Sequence, residues 1–126
     1  MRVLLIEPDK IQADVYSRAL SFDGHEVMHA FSAQGAVHKA DEHKPDAVVL
    51  ELQLPNHNGV EFLYEFRSYP EWLDIPVLIH TFVPSVELAH ASTLANELGA
   101  RGLLHKPETT LVQLRSAVRS LAPVEP

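Results

Sequence analysis

Four consecutive apolar residues, Ala47-Val48-Val49-Leu50, stop at an acid, Glu51, and the turn Pro55-Asn56-His57-Asn58-Gly59 follows. A run without polar alternation suits a strand buried on both faces, and such strands belong to parallel sheets covered by helices on each side. Sheets of that kind place their chemistry in the crevice beyond the carboxyl ends of the strands. Glu51 therefore stands where a functional carboxylate is expected.

The rest of the chain repeats the theme. Val3 to Ile6 is a short apolar strand ended by Glu7-Pro8-Asp9, because Pro8 has no ladder hydrogen bond to donate. Asp9 is a good N-cap, and Ile11, Val15, Ala19, Leu20 and Phe22 give the helical stripe behind it, closed by Asp23-Gly24. His25 to Ala30 reads as a second strand, and Ser32 caps a second helix reaching about His43. A third helix after Gly59 carries Val60, Phe62, Leu63 and Phe66, and Glu71 to Ile75 reads as loop. Pro76 to His80 is a fourth strand. Pro84-Ser85 opens a fourth helix with Leu88, Ala91, Ala95 and Leu98, stopped by Gly99. Gly102 to His105 is a fifth strand, and a last helix from about Glu108 to Leu121 shows Leu111, Leu114, Val118 and Leu121 on one face. Strands alternating with helices predict one α/β domain with a parallel sheet over residues 1–121, followed by a short tail, 122–126.

Composition narrows the function. A formal charge of −7 disfavours nucleic acid and anionic membrane as partners. There is no cysteine, which removes disulfides, thiolate metal sites and cysteine nucleophiles. No signal peptide is visible, and no apolar run approaches the ~20 residues a membrane helix needs. The expected location is cytoplasmic.

Glu7 and Asp9 follow the first strand, Glu51 the third, Thr81 the fourth and Lys106 the fifth. A single switch in strand order brings these ends to one crevice. Any one of them is ordinary for a strand end, where water reaches; the ordered set points to a site.

These residues resemble the receiver domain of two-component response regulators. The resemblance runs from Arg2 to Leu121 and rests on Val3-Leu4-Leu5-Ile6-Glu7 with Asp9, Pro45-Asp46-Ala47-Val48-Val49-Leu50-Glu51 with Leu54-Pro55 and Asn58-Gly59, Ile75-Pro76-Val77 through Thr81, and Gly99-Ala100 through Lys106-Pro107. It implies a flavodoxin-like (βα)5 three-layer sandwich with sheet order 2-1-3-4-5. It also implies an aspartate ending strand three that takes a phosphoryl group from a histidine kinase, and paired acids ending strand one that hold magnesium. A Thr or Ser and a Lys bind the phosphoryl oxygens, and the Lys106–Pro107 bond is expected to be cis.

Carried over residue by residue, that site is incomplete. The phosphoacceptor position holds Glu51, whose extra methylene displaces the carboxylate by about 1.5 Å, and phosphoryl transfer depends on placement at that scale. The second of the paired acids is Pro8, which has no side-chain oxygen, so magnesium binding is expected to be weak or absent and no metal site is assigned. Phe82 stands where a small residue usually borders the pocket, and its ring is expected to cover the site. Leu103 replaces the aromatic switch residue. Thr81 and Lys106 fit.

The reading that follows is a receiver-like module, not an enzyme, that signals by protein contact. Lys106 is the natural counter-charge for Glu51, so a Glu51–Lys106 bridge is expected, with Thr81 close by. Either Glu51 holds one signalling state without phosphate, or the pocket has decayed and the fold serves as a docking surface; the second is favoured. The resemblance places partner contacts, and a homodimer if one forms, on helix 4, strand 5 and helix 5. Two enzyme readings stand against it: an active receiver with magnesium, and a small metal-dependent phosphatase-like hydrolase built on Glu7, Asp9 and Glu51. His80 and His105 end neighbouring strands and are candidates for a shared pH-sensitive crevice. Phe66, Tyr69 and Trp72, with Tyr64, read as a packed lid at the sheet edge.

Overall fold

The computed structural model describes residues 1–84, 87, 89, 93 and 96–123. Its strands are β1 (Arg2–Ile6), β2 (Glu26–Ala30), β3 (Ala47–Leu50), β4 (Val77–Thr81) and β5 (Ala100–His105). They form one parallel sheet in the order β2-β1-β3-β4-β5, which is the predicted flavodoxin-like topology. The helices α1 (Lys10–Phe22), α2 (Ala33–Glu42), α3 (Gly59–Arg67) and a C-terminal helix (Leu111–Arg119) cover the two faces, with single 3₁₀ turns at Pro70–Trp72 and Lys106–Glu108. Of the stretch expected to form a fourth helix, Glu87, Ala89, Thr93, Asn96 and Glu97 are helical; Ser85, Leu88, Ala91 and Ala95 lie outside the described residues. Among the described residues no helix is long and apolar enough to cross a membrane.

Strand alternation splits the core into two layers. Leu4, Ile6, Val48, Leu50, Val77 and Ile79 face α2 and α3, while Val3, Leu5, Val49 and Leu78 face α1 and the C-terminal helix. Each of these four helices starts where a side chain satisfies a free backbone N–H. Asp9 accepts from Gln12 N at 2.9 Å, Ser32 from Gly35 N at 3.1 Å and Asn58 from Glu61 N at 2.8 Å. Thr110 and Gln113 cap the C-terminal helix reciprocally. The expected aromatic lid is a stack: the Phe66 ring lies 5.3 Å from Phe62 and 5.0 Å from Trp72, and Tyr69 packs 4.7 Å from Trp72. Tyr64 stays outside it, exposed.

The stripe read on α1 needs correction. Ala13 and Leu20 are buried with Tyr16 beside them, whereas Ile11 is 79% and Phe22 80% exposed. The side that meets the sheet carries Ala13, Tyr16 and Leu20, so the stripe of Ile11, Val15 and Phe22 is turned outward. Leu111 is likewise exposed, while Leu114, Val118 and Leu121 are buried as expected.

One close approach matters for the site. A Cβ on Gly59 would lie 2.7 Å from Leu52 Cα and 2.9 Å from the Glu51 carbonyl oxygen, so only glycine lets α3 begin against the segment leaving β3. Gly59 N donates to Leu52 O at 2.7 Å, which pins that segment and with it the backbone of Glu51.

Candidate functional site

Glu7, Glu51, Thr81 and Lys106 leave β1, β3, β4 and β5 at the same edge of the sheet, and all four are buried. The Lys106 ammonium donates to Glu51 Oε1 at 2.9 Å, to Glu7 Oε1, and at 3.4 Å to Gln12 Oε1. Its three N–H bonds therefore have three acceptors.

The Glu51 carboxylate is equally occupied. Oε1 accepts from Lys106 and, at 3.1 Å, from Phe82 N; Oε2 accepts from the Thr81 hydroxyl and, at 3.1 Å, from Gln53 N. Val83 N in turn donates to Thr81 Oγ1 at 3.1 Å, and Asp9 N donates to Glu7 Oε2 at 3.0 Å. Buried polar groups are tolerated when satisfied in this way. Two aromatic rings close the site: Phe82 lies 4.8 Å and Tyr16 5.6 Å, centroid to Nζ, from the Lys106 cation.

The electrostatics follow from burial and charge. Burial, the largest influence on Glu51, pushes its carboxyl up; the hydrogen bonds from Thr81 and Lys106, the Lys106 charge and the Gln53 N–H outweigh it, and the group is held below its ordinary value. Burial also pushes the Tyr16 phenol up to about 12, helped by the charges of Glu7, Glu51 and Asp9. His80 is buried against Tyr16 in a T-shaped contact at 4.8 Å, and burial with the nearby Lys106 charge lowers its imidazole to about 4.

A model of the response regulator receiver domain matches residues 3–119. The chain belongs to the response regulator receiver domain family. Response regulator MprA of Mycobacterium sp. (strain KMS) is 31% identical over 128 residues, covering 99% of this chain and 54% of the relative. That of Mycobacterium leprae (strain TN) is 31% identical over 126 residues, covering 98% and 53%. The chain thus spans about half the length of the curated relatives it matches. Among solved structures, chemotaxis protein CheY4 of Vibrio cholerae superposes with a TM-score of 0.86 at 23% identity, covering 96% of this chain and 98% of that one. A CheY-like receiver domain protein of Methanospirillum hungatei JF-1 does so with a TM-score of 0.83 at 22% identity, covering 94% and 90%. These two likenesses concern the fold.

Against the pattern expected of a receiver, the structure makes three corrections or additions. The Lys106–Pro107 bond is not cis, for no peptide bond among the described residues is. Pro107 lies inside the 3₁₀ turn Lys106–Glu108, whose first positions accept a trans proline with its fixed φ and missing N–H. His80 and His105 do not share a crevice: Thr81 pairs with His105 and His80 with Leu104, so the two imidazoles leave opposite faces of the sheet. His105 Nδ1 lies 3.5 Å from Glu108 instead. The third point is what the sequence reading missed. Gln12 and Tyr16 reach the pocket from α1, and Glu7 is a direct partner of Lys106. The spacing of Gln12 and Tyr16, one turn apart on the helix that leaves the site, is the signal that was available.

Leu103 packs, half-buried, against the core layer under α2 and α3. Pro8 contributes no oxygen, and Asp9 spends Oδ1 on the α1 cap. The magnesium ion that the family implies does not fit these residues. Both Glu7 oxygens are engaged, one by Lys106 and one by Asp9 N, and a lysine ammonium already stands between the carboxylates of Glu7 and Glu51. Among the described residues, no group of three His, Cys, Asp or Glu is arranged to hold a metal ion.

Proposed function

We propose that this chain is a receiver domain that does not accept a phosphoryl group and that signals by protein contact within a two-component or phosphorelay-type system. The observation that carries the reading is the occupancy of Glu51. Its two oxygens take up Thr81, Lys106 and the Phe82 and Gln53 N–H groups, the kinds of donor that a phosphoryl group would need. The pocket is filled from within, electrostatically by Lys106 between two acids and sterically by the Phe82 ring. On this reading Glu51 stands at the phosphoacceptor position, Glu7, Pro8 and Asp9 are what remains of the metal-binding acids, and Leu103 gives no aromatic switch. What the fold then offers is surface. By analogy with the family, contacts with signalling proteins fall on the face that includes β5 and the C-terminal helix.

The deciding experiment is incubation with magnesium and a small phosphodonor, followed by intact-mass measurement. An unchanged mass is expected. A gain of one phosphoryl mass at Glu51 would restore the active-receiver reading, and release of inorganic phosphate with turnover would restore the hydrolase reading.

A further inference from the structure

The head of α3 is built from a chemically reactive pair. Asn58 Oδ1 accepts from Glu61 N at 2.8 Å as the helix cap, and Asn58 Nδ2 donates to Glu61 Oε1 at 3.1 Å. The next residue has to be glycine, because a Cβ there would meet the backbone of Leu52 and Glu51. An asparagine followed by glycine is prone to deamidation, since no side chain shields the glycine nitrogen from the amide carbon. Of the chain's three asparagines, Asn56 and Asn96 precede His57 and Glu97, and only Asn58 precedes a glycine.

The reaction needs only water. Gly59 N gives up its proton and bonds to Asn58 Cγ, the Cγ–Nδ2 bond breaks, and Nδ2 leaves as ammonia with that proton. One water then opens the cyclic imide. Opening at Cγ leaves aspartate with the ordinary main chain. Opening at the main-chain carbonyl carbon leaves isoaspartate, whose chain runs through Cγ and is one methylene longer. Either way an amide NH2 has been exchanged for a hydroxyl, and the residue has become an acid.

The folded turn opposes the first step. Gly59 is buried and its N–H donates to Leu52 O at 2.7 Å, so the nucleophile keeps its proton. Closing the imide requires Asn58 Cβ and Gly59 N to eclipse across the Cα–C bond. The ψ of Asn58 is 161°, and rotation from there carries Gly59 N off Leu52 O. The amide is held at both ends by Glu61, whose other carboxylate oxygen lies 3.1 Å from His57 Nδ1. Asn58 itself is exposed, so water and hydroxide reach it as soon as the turn opens.

We propose that Asn58–Gly59 is a self-modification site: it deamidates through an imide when the first turn of α3 opens, and it is locked while Gly59 holds Leu52 O and Glu61 holds the amide. The two products differ in effect. Aspartate keeps the cap, for it caps as well as asparagine. Isoaspartate inserts a methylene between the cap and the glycine packed on Leu52, and the displacement falls on the segment whose Gln53 N–H binds Glu51. The chemistry is independent of whether Glu51 accepts a phosphoryl group, so the mass measurement above and the test below fail separately.

The test incubates the full chain at pH 8 in water labelled with heavy oxygen, folded and in urea, then digests it in ordinary water, so that modification during digestion carries no label. The peptide containing residue 58 is weighed and its aspartate and isoaspartate forms are separated. Label should enter both forms in urea at least about 10-fold faster than in the folded chain, because a reaction that needs an opening runs in proportion to the open population. Glu61→Ala frees the amide at an exposed position where alanine suits the helix. It should raise the folded rate by about 2- to 10-fold, the effect of one lost hydrogen bond on an opening equilibrium. Asn58→Ser, which keeps a capping oxygen without an amide, should leave that peptide unlabelled. An unlabelled residue 58 in urea would overturn the proposal. So would equal rates in the folded and unfolded chain, a Glu61→Ala rate no higher than the parent's, or label in the Asn58→Ser peptide.

Discussion

Lys106 Nζ donates to Glu51 Oε1 at 2.9 Å with both side chains almost wholly withdrawn from water, 2% and 3% exposed. Glu7 completes the group from the other side of the ammonium. A buried pair of this sort is weak evidence of stabilisation relative to an apolar filling of the same shape, but costly to break from one side. The arrangement makes the strand ends interdependent: β1, β3 and β5 each send one charge to the same point, and β4 sends the hydroxyl that holds Glu51 in place.

Removing the cation alone should therefore be severe. Lys106→Met leaves two buried carboxylates facing one another, and a loss of about 3–5 kcal/mol at pH 8 is expected. Acidification should shrink that deficit, because the variant can relieve the repulsion by taking up a proton. Urea unfolding of both proteins at pH 8 and pH 5 measures it. A deficit that does not change with pH would mean that lost packing of the lysine stem, and not unpaired buried charge, sets the cost.

Two groups at the site should add to the acid sensitivity of the parent chain with the same sign. His80 is lowered from 6.5 to about 4 in the folded state. The unfolded chain then binds more protons between those values, so stability falls as pH drops from about 6.5 towards 4, by on the order of 3 kcal/mol in all. Glu51 is also held below its ordinary value, so its contribution, present above pH 4.5, is lost as pH falls through the lower folded value. His80→Leu should flatten the urea-midpoint curve between pH 6.5 and 4.5 and leave the steeper loss below it. A slope unchanged by His80→Leu would place the titrating group elsewhere.

Gly59 ties the fold to the site. Gly59→Ala forces a methyl to 2.7 Å from Leu52 Cα and 2.9 Å from the Glu51 carbonyl oxygen, both of them backbone atoms with little room to yield. Overpacking of this kind costs about 1–3 kcal/mol, and the strain falls on the segment that positions Glu51. The expected signature is a lower thermal midpoint together with amide NMR shifts at Gln53 and Phe82, whose N–H groups bind the carboxylate. Shifts limited to α3 would separate the two.

The fold was legible because strand and helix periods differ, and here they alternate cleanly. The apolar run Ala47–Leu50 allowed no half-exposed strand, Pro8 and Asp23-Gly24 marked the ends of β1 and α1, and the caps read at Asp9 and Ser32 are in place. The Glu51–Lys106 contact was legible too, since strand order and charge bring the two together. What sequence could not give was rotation. Ile11, Val15 and Phe22 make as good a stripe as Ala13, Tyr16 and Leu20, and only the helix placement decides which one meets the sheet. The same ambiguity hid Gln12 and Tyr16 from the site, and the one-residue offset between His80 and His105 was lost without the register of β4 on β5.

If Glu51 fills the pocket and Pro8 withholds the metal ligand, restoring function should take both changes. Glu51→Asp shortens the side chain by about 1.5 Å, which draws the carboxylate back from Thr81 and Lys106 and frees those donors for an incoming phosphoryl group. Alone it should remain inert with magnesium and a small phosphodonor, because nothing neutralises the transferring group. Pro8→Asp supplies a carboxylate beside Glu7 just ahead of α1, where an acid also suits the helix dipole, but by itself leaves Glu51 bound to its present donors. The double variant is expected to gain one phosphoryl mass in a magnesium-dependent manner, and removal of magnesium by chelation should abolish the gain. Modification of Glu51→Asp alone would show that side-chain length was the whole obstacle. A double variant that folds, binds magnesium and stays unmodified would shift the obstacle to Phe82, whose ring covers Lys106 at 4.8 Å, and Phe82→Ala added to the pair would then be the change that opens the site.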